Sequence, residues 1–437
     1  MKTRFDFIIL FVFGLSLLTG CKKDEIPLVI DQPSVESTTS QMAKKPLKIA
    51  ILGGISYLDP SLMVNCLSEG SDFMNIISDD NVIQEFCQPL LKAAVSQVLA
   101  EKPDLLFIPG ELSFNGEKIS HEAVARIFKK ISKEEIQVFV IPGNKDINNP
   151  LAKAYNGNGS SPTPTITEEE FVMIYDDFGY KDPISRDPNS LSYLAQAFNK
   201  VWILGIDSRK YPISKSGLIK PETLDWIKYR LAKAKEQDVT VLALCHFSVI
   251  EPFIGTANYA GAYVINNHTV IEDDLTDAGL RVILTATVND IVSHSHPENS
   301  IYNISTGLLL IPPFQFRIIS LDQNSMQIET LKITSIDATI PGGVGLLDYS
   351  NAALLQRLTK MYTNLFIGKP FYLPLGTAML YAPHFAKATA AFYAGDEVFP
   401  IEEQEFSQIL SEPYKSTFIG FYTDLPPEDG LYIVPMD

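Results

Sequence analysis

From residue 47 onward, short apolar runs ending at glycine-, proline- or polar-rich corners alternate with stretches whose apolar residues recur at helical spacing. That alternation narrows the possible folds more than any other property of the chain. The run at 47–52 reads as a buried strand; Leu90, Leu91, Ala94, Val95, Val98 and Leu99 then repeat along a helix with Pro89 in its first turn. A strand at 104–108, a helix after Ser120 bearing Val124, Ile127, Phe128 and Ile131 on one face, and a strand at 137–141 continue the series. Further strands are expected at 201–206, 239–244 and 282–284, with a helix at 221–235 between the first two. Strands separated by helices predict an α/β fold with a largely parallel, helix-covered sheet. Residues 301–304, 316–321 and 326–333 lack intervening helices and predict a closing antiparallel ladder.

The pattern changes after Ser335. Helical spacing at 352–365, and a stretch at 377–393 that is apolar on most sides, predict a small, mainly helical addition packed on the sheet domain. The expected organisation is 1–20 as a leader, 21–45 as a flexible tether, 46–334 as the sheet domain and 335–437 as the C-terminal helical region. Within the tether, Gln32-Pro33-Ser34 and Ser37-Thr38-Thr39-Ser40 are polar and carry no apolar periodicity.

The N-terminus supplies an address. Lys2 and Arg4 precede an apolar stretch at 7–18 that is too short to span a bilayer comfortably, followed by Leu18-Thr19-Gly20-Cys21. These four residues resemble the lipobox of bacterial lipoproteins, which implies acylation of Cys21 and a membrane partner reached through that lipid anchor. Lys22-Lys23-Asp24-Glu25 resembles the export signal of Bacteroidetes lipoproteins. The implied location is the cell envelope, anchored to the outer membrane and exposed at the cell surface. Of the three remaining cysteines, Cys66 and Cys87 could bridge, but buried free thiols are the expectation for all three.

Charge excludes one class of partner. Asp and Glu number 52 against 35 Lys and Arg, a net charge of −17. Such a field repels phosphate backbones, and no segment gathers the basic and aromatic residues that nucleic acid requires.

In open α/β sheets, functional loops sit at the carboxyl ends of the strands. In chain order those corners read Gly53-Gly54-Ile55-Ser56, Pro109-Gly110-Glu111, Pro142-Gly143-Asn144-Lys145-Asp146, Cys245-His246-Phe247 and Thr285-Ala286-Thr287-Val288-Asn289. The five resemble the metal-site motifs of calcineurin-like metallophosphoesterases: Asp-x-His, Gly-Asp, Gly-Asn-His, His and Gly-His-x-His. Flanking segments such as Leu58-Asp59-Pro60-Ser61-Leu62, Asn115-Gly116-Glu117-Lys118 and Ala394-Gly395-Asp396-Glu397 resemble bacterial members of that family. The resemblance implies a layered β-sheet core flanked by helices and, in the family, two divalent ions that clamp a phosphate and activate a water.

At the positions that hold the first ion in that family, this chain has Gly54, Ser56, Glu111 and Asn289. Glycine offers no side-chain ligand, and a hydroxyl and an amide are weak neutral ones. The positions of the second ion carry Glu111, Asn144, His246 and Thr287, so Glu111, Asn144 and His246 form the residual metal or ligand site. Lys145 stands where the family has its catalytic His, and its ammonium could pair with Glu111 in place of a missing cation; the alternative is Lys145 turned to solvent and Glu111 capped by backbone N–H groups. The implied function is an envelope lipoprotein on a phosphoesterase scaffold that has lost catalysis and acts as a binding or structural module for a small ligand, a glycan or a protein. No cofactor is expected; if one is held, it is a single divalent ion (manganese, iron or zinc) at low occupancy. The alternative is a residual phosphoesterase acting on phosphate mono- or diesters through such an ion.

The other histidines are read more plainly. His294 and His296 are expected on an exposed loop, His121 as a capping or surface residue, His268 in a loop, and His384 in the core or at an interface. Asp207, Ser208, Arg209 and Tyr211 could line the cleft or form a structural corner.

Overall fold

The computed structural model describes residues 45–210, 216–259, 263–395, 397–423, 425, 427 and 429–436. Cys21, the leader, most of the tether, Tyr211 and Asp396 lie outside them. Residues 42–437 form one compact unit.

Strand β1 (Leu47–Ile51) is followed by a short β2 (Met63–Val64), helix α1 (Asp72–Ile77) and helix α2 (Cys87–Glu101). Then come β3 (Leu105–Pro109), α3 (Lys118–Ile131), β4 (Gln137–Ile141) and a small hairpin, β5 (Lys153–Asn156) and β6 (Gly159–Pro162). Helix α4 (Glu168–Ile174) leads to β7 (Ser185–Arg186), β8 (Tyr193–Phe198) and β9 (Val201–Ile206). Helix α5 (Pro221–Glu236), β10 (Thr240–Cys245), α6 (Thr256–Tyr259), α7 (His268–Asp277) and β11 (Val282–Thr287) continue the alternation. Four strands without helices between them follow: β12 (Asp290–His296), β13 (Asn299–Gly307), β14 (Gln315–Leu321) and β15 (Ser325–Lys332). The C-terminal region is α8 (Leu346–Ile367), α9 (Leu375–Ala394), α10 (Ile401–Ser407), α11 (Tyr414–Gly420) and a last strand, β16 (Leu431–Pro435).

The strands build two large sheets instead of one. The first runs β16-β15-β14-β1-β3-β4 and the second β12-β13-β11-β10-β9-β8-β7. Alternation along the second sheet explains why both of its faces are buried. Ile203, Leu242, Leu244, Val282 and Leu284 share a core with Phe107 and Ile108 of the first sheet. Their neighbours Leu204, Ala243, Cys245 and Ile283 face the other way, onto Leu224, Ile227 and Leu231 of α5 and Ile271 and Leu275 of α7. Cys66, Cys87 and Cys245 are buried free thiols. The structure is thus the layered α/β core with a C-terminal helical addition that the motifs implied.

The expected closing ladder is divided between the sheets. β14 and β15 pair antiparallel in the first, whereas β13 pairs parallel with β11 and antiparallel with β12 in the second. β12 is missing from the sequence reading because its C-terminal half, Ser293, His294, Ser295 and His296, is polar on both faces, so no apolar run marks it. His294 and His296 accordingly lie on a strand, where they meet Asp273 and Asp277 of α7 at 2.8 and 3.0 Å. His268 is the first residue of α7 and not part of a loop. His384 stacks on Phe406 and meets Glu403 at 2.7 Å, at the interface of α9 with α10.

Candidate functional site

The corners after β3 and β4 pack backbone against backbone. Gly110 and Glu111 both take left-handed φ values, 87° and 50°. A Cβ on Gly143 would lie 2.2 Å from the Glu111 amide nitrogen, so only glycine allows this approach. Asp146, fully buried, ties the two corners together: its carboxylate accepts from the N–H groups of Gly143 (2.7 Å), Ser113 (2.9 Å) and Leu112 (3.1 Å). Burial, followed by the nearby Glu111 charge, pushes the Asp146 carboxyl up, against the His121 and N–H contributions.

His121 belongs to this rivet. The sequence reading put it at a cap or on the surface, but α3 begins at Lys118, three residues earlier, and turns His121 into the core. Its Nε2 lies 2.9 Å from the Asp146 carbonyl oxygen and 3.0 Å from Ser113 Oγ. The carbonyl can only accept, which places the proton on Nε2 and leaves Nδ1 to accept from the Tyr175 hydroxyl at 2.8 Å. Burial holds its pKa below the ordinary value, consistent with a neutral ring.

Glu111 and His246 form the electrostatic centre. His246 Nδ1 donates to the Pro109 carbonyl at 2.9 Å, which turns Nε2 to within 3.4 Å of Glu111 Oε1. The Lys145 backbone N–H donates to the same Oε1 at 3.2 Å. Burial alone would push the Glu111 carboxyl up; the His246 imidazole, the Lys145 ammonium and the Lys145 N–H more than offset it and hold it below the usual range. Burial would likewise lower His246, and Glu111 reverses the shift.

The expected ion pair between the Lys145 ammonium and Glu111 is not formed. The backbone N–H cap is what the structure has, while the ammonium acts on Glu111 only through its field. Burial would lower the Lys145 pKa, but neighbouring carboxylates, Asp80 first and then Glu111, raise it above the ordinary value. Asn144 turns its Nδ2 toward the Ser216 carbonyl at 3.4 Å.

The other motif positions meet the chain only in part, and Glu111 Oε2, Thr287 Oγ1 and Asn289 Oδ1 are buried without a hydrogen-bond partner. A Cβ on Gly54 would come within 2.3 Å of Leu308 Cδ2, so Leu308 occupies the space into which a longer residue would project. Ser56 donates its N–H to the Glu111 carbonyl (2.7 Å), and its own carbonyl accepts from Gln84 Nε2 (2.8 Å). Thr287 borders a small cavity with Leu308, Gln315 and Tyr393, too narrow to admit water. Asn289 donates to the Ala394 carbonyl at the end of α9, as does Gln315 Nε2 at 2.9 Å. The Tyr393 hydroxyl is held by Asn81 (2.5 Å) and Tyr263 (2.8 Å). The end of α9 therefore closes this side of the site, and Ser56, Glu111, Asn144, His246, Thr287 and Asn289 are each no more than 7% exposed. Nothing local in the sequence marks Leu308 or Tyr393, although the helix carrying Tyr393 is the apolar stretch expected to pack on the sheet domain.

This donor set does not fit a two-metal centre. Two divalent cations would face one carboxylate, whose Oε1 is taken by His246 and the Lys145 N–H, in the field of an ammonium. The remaining side-chain donors are two hydroxyls, Ser56 and Thr287, and two amides, Asn144 and Asn289. Among the described residues, no three His, Cys, Asp or Glu side chains are grouped to hold a metal ion.

A separate groove of about 800 Å³ opens beside Asn144, lined by Asn148, Arg186, Ser190, Arg209 and Lys220 among others. Arg209 is anchored there as a structural corner, donating to Asp207 at 2.8 and 2.9 Å and to Glu168 at 3.0 Å.

No family model matches the chain, and no curated protein matches it in sequence. Its structure is similar to that of a dimetal phosphatase from Danio rerio, with 11% identity and a TM-score of 0.47 over 66% of this chain and 96% of that one. A purple acid phosphatase from yellow lupin seeds (10%, TM-score 0.41) is matched over 65% of this chain and 51% of its own length. A putative 5'-nucleotidase from Staphylococcus aureus (10%, TM-score 0.37) is matched over 72% and 58%. These are likenesses of fold, and the chemistry of the cleft has to be read from its own residues.

Proposed function

We propose that this chain is a lipid-anchored protein of a bacterial envelope in which a calcineurin-like phosphoesterase scaffold has given up two-metal hydrolysis and serves as a binding or structural module. The observation that supports the reading is a set of protein contacts at positions that the motif resemblance assigns to metal ligands. Leu308 fills the space beside Gly54, the end of α9 covers Asn289, and His246 takes Glu111 as its partner. These residues are buried, whereas the groove that Asn144 helps to line is open to a ligand.

The grouping of Glu111 with His246 supports a second reading, a single-ion phosphoesterase using Glu111, Asn144 and His246. One experiment separates them: metal content of the purified protein, measured together with hydrolysis of aryl phosphates and phosphodiesters in added manganese. The first reading expects less than a tenth of an equivalent of metal and no turnover above a heat-treated control. Stoichiometric metal with turnover abolished by His246→Ala would overturn it. Mass spectrometry of the mature N-terminus tests the anchor, with a diacylated or triacylated Cys21 as the expected result.

A further inference from the structure

Helices α8 and α9 form an antiparallel hairpin: Tyr362 Oη meets Thr389 Oγ1 at 2.6 Å, and the rings of Phe366 and Phe385 lie 5.0 Å apart. The closed end of this hairpin has an unusual composition. Residues 349–395 contain no Asp or Glu, in a chain with 52. Three of the bases in that segment turn back to the body: Arg357 to Glu85, Lys360 to Asp79 and Lys387 to Glu403. Lys369, in the loop between the helices, is the one charged residue from 361 to 380.

The same tip exposes large apolar side chains. Leu365, Ile367, Tyr372, Leu375, Met379 and Leu380 are between 41% and 63% accessible. Its loop is also closed on itself: Gly368 N–H donates to Asn364 O, Phe371 and Tyr372 N–H to Gly368 O, and Leu373 N–H to Phe366 O. Backbone groups already paired within the tip are what a segment needs to enter a lipid interface without losing hydrogen bonds. No helix among the described residues is long and apolar enough to cross a membrane, so the tip could only lie on one.

We propose that the α8–α9 tip docks on the bilayer surface, with Ile367, Leu375, Met379 and Leu380 entering the headgroup–acyl boundary, Tyr372 at the interface and Lys369 toward lipid phosphates. Charge is compatible with this face: the chain carries a net charge of −17, which anionic lipid repels, whereas residues 349–395 contain no acid. The inference rests in part on the lipid-anchor reading. The chain between Cys21 and the described residues spans at most about 80 Å when extended, enough to let the tip reach the membrane.

The test uses the full-length acylated protein with Met379→Cys carrying an environment-sensitive fluorophore, mixed with phosphatidylglycerol–phosphatidylethanolamine vesicles that contain brominated acyl chains. The buried native thiols are poor labelling competitors, and Ile254→Cys, on the far more exposed loop before α6, is the control. Docking expects at least twofold quenching at 379, little at 254, and a fivefold smaller effect when Leu375→Asp is added. Protein that floats with the vesicles but shows no quenching at 379 overturns the docking and leaves the anchor standing. Protein that does not float at all overturns both. A label at 379 shielded equally by unbrominated vesicles and by detergent assigns the face to a second copy of the chain and overturns the bilayer as its occupant.

Discussion

His246 Nε2 lies 3.4 Å from Glu111 Oε1, and the opposite ring nitrogen is fixed by the Pro109 carbonyl. A carboxylate and an imidazole, groups that can also ligate a cation, are here each other's counter-charge. Both are buried, so the pair contributes to stability and its contribution depends on pH.

His246 has its folded pKa raised above the ordinary 6.5, so its contribution is complete below that value and is lost as pH rises through the folded pKa. Glu111 is lowered from 4.5, so its contribution is present above that value and is lost as pH falls through the folded pKa. The pair is therefore strongest between about pH 4.5 and 6.5. His246→Ala should cost about 3 kcal/mol there by leaving Glu111 buried without its partner. Urea unfolding of both proteins from pH 4 to 9 should show the difference narrowing toward the alkaline end; a difference that does not change with pH would show that His246 is neutral throughout.

The rivet beneath the site should be more sensitive than the site itself. Asp146 accepts three backbone N–H groups, and Asn can replace only one of its two carboxylate oxygens as an acceptor. Asp146→Asn should cost about 2–3 kcal/mol, and His121→Phe, which strands the Tyr175 hydroxyl and the Asp146 carbonyl, a similar amount. Far-UV circular dichroism melts would register both, with unchanged spectra at low temperature. Wild-type stability in either variant would mean that water replaces the lost partners.

How far the sequence carries is visible in these residues. The strand corners, and with them Glu111, Asn144 and His246, were legible because apolar runs end abruptly at glycine and proline, and that punctuation is local. His121 was misread because its role depends on where α3 begins, and Lys118, Ile119 and Ser120 give no capping signal: the residue before the helix makes no side-chain cap. Charge type left both the Lys145–Glu111 ion pair and the backbone cap open, because it does not fix which atoms meet; the Lys145 N–H is what reaches Glu111 Oε1. Leu308 and Tyr393 reach the site from β13's end and from a helix near residue 390, contacts that only the fold creates.

Glu117 offers a second titration. It is fully buried, and burial, opposed by the Asn115 N–H, pushes its carboxyl to about 7. A raised carboxyl binds its proton more tightly in the folded state than in the unfolded one, so stability falls as pH rises from the ordinary 4.5 through about 7 and the cost stays constant above that. Glu117→Gln should keep the bond from the Asn115 N–H and gain stability at pH 8 relative to pH 5, by an amount on the order of 3 kcal/mol at most. Equal melting temperatures for the two proteins at pH 8 would count against a protonated Glu117.

Gly54, Leu308, Asn289 and Lys145 are the positions at which a divalent-ion site could be built into this cleft. Gly54→Asp alone should destabilise the protein by about 1–3 kcal/mol, because the new side chain meets Leu308 Cδ2, the free end of a side chain that has to move aside. Adding Leu308→Ala removes that obstacle and should recover part of the loss. Even so, Gly54→Asp with Leu308→Ala should not confer manganese binding, since Asn289 still faces the Ala394 carbonyl and Lys145 still raises the local potential. Adding Asn289→His and Lys145→His supplies two imidazoles and removes the ammonium, and calorimetric titration with manganese should then detect binding that the double variant lacks. Binding by the double variant would show that Lys145 and Asn289 are not what keeps cations out.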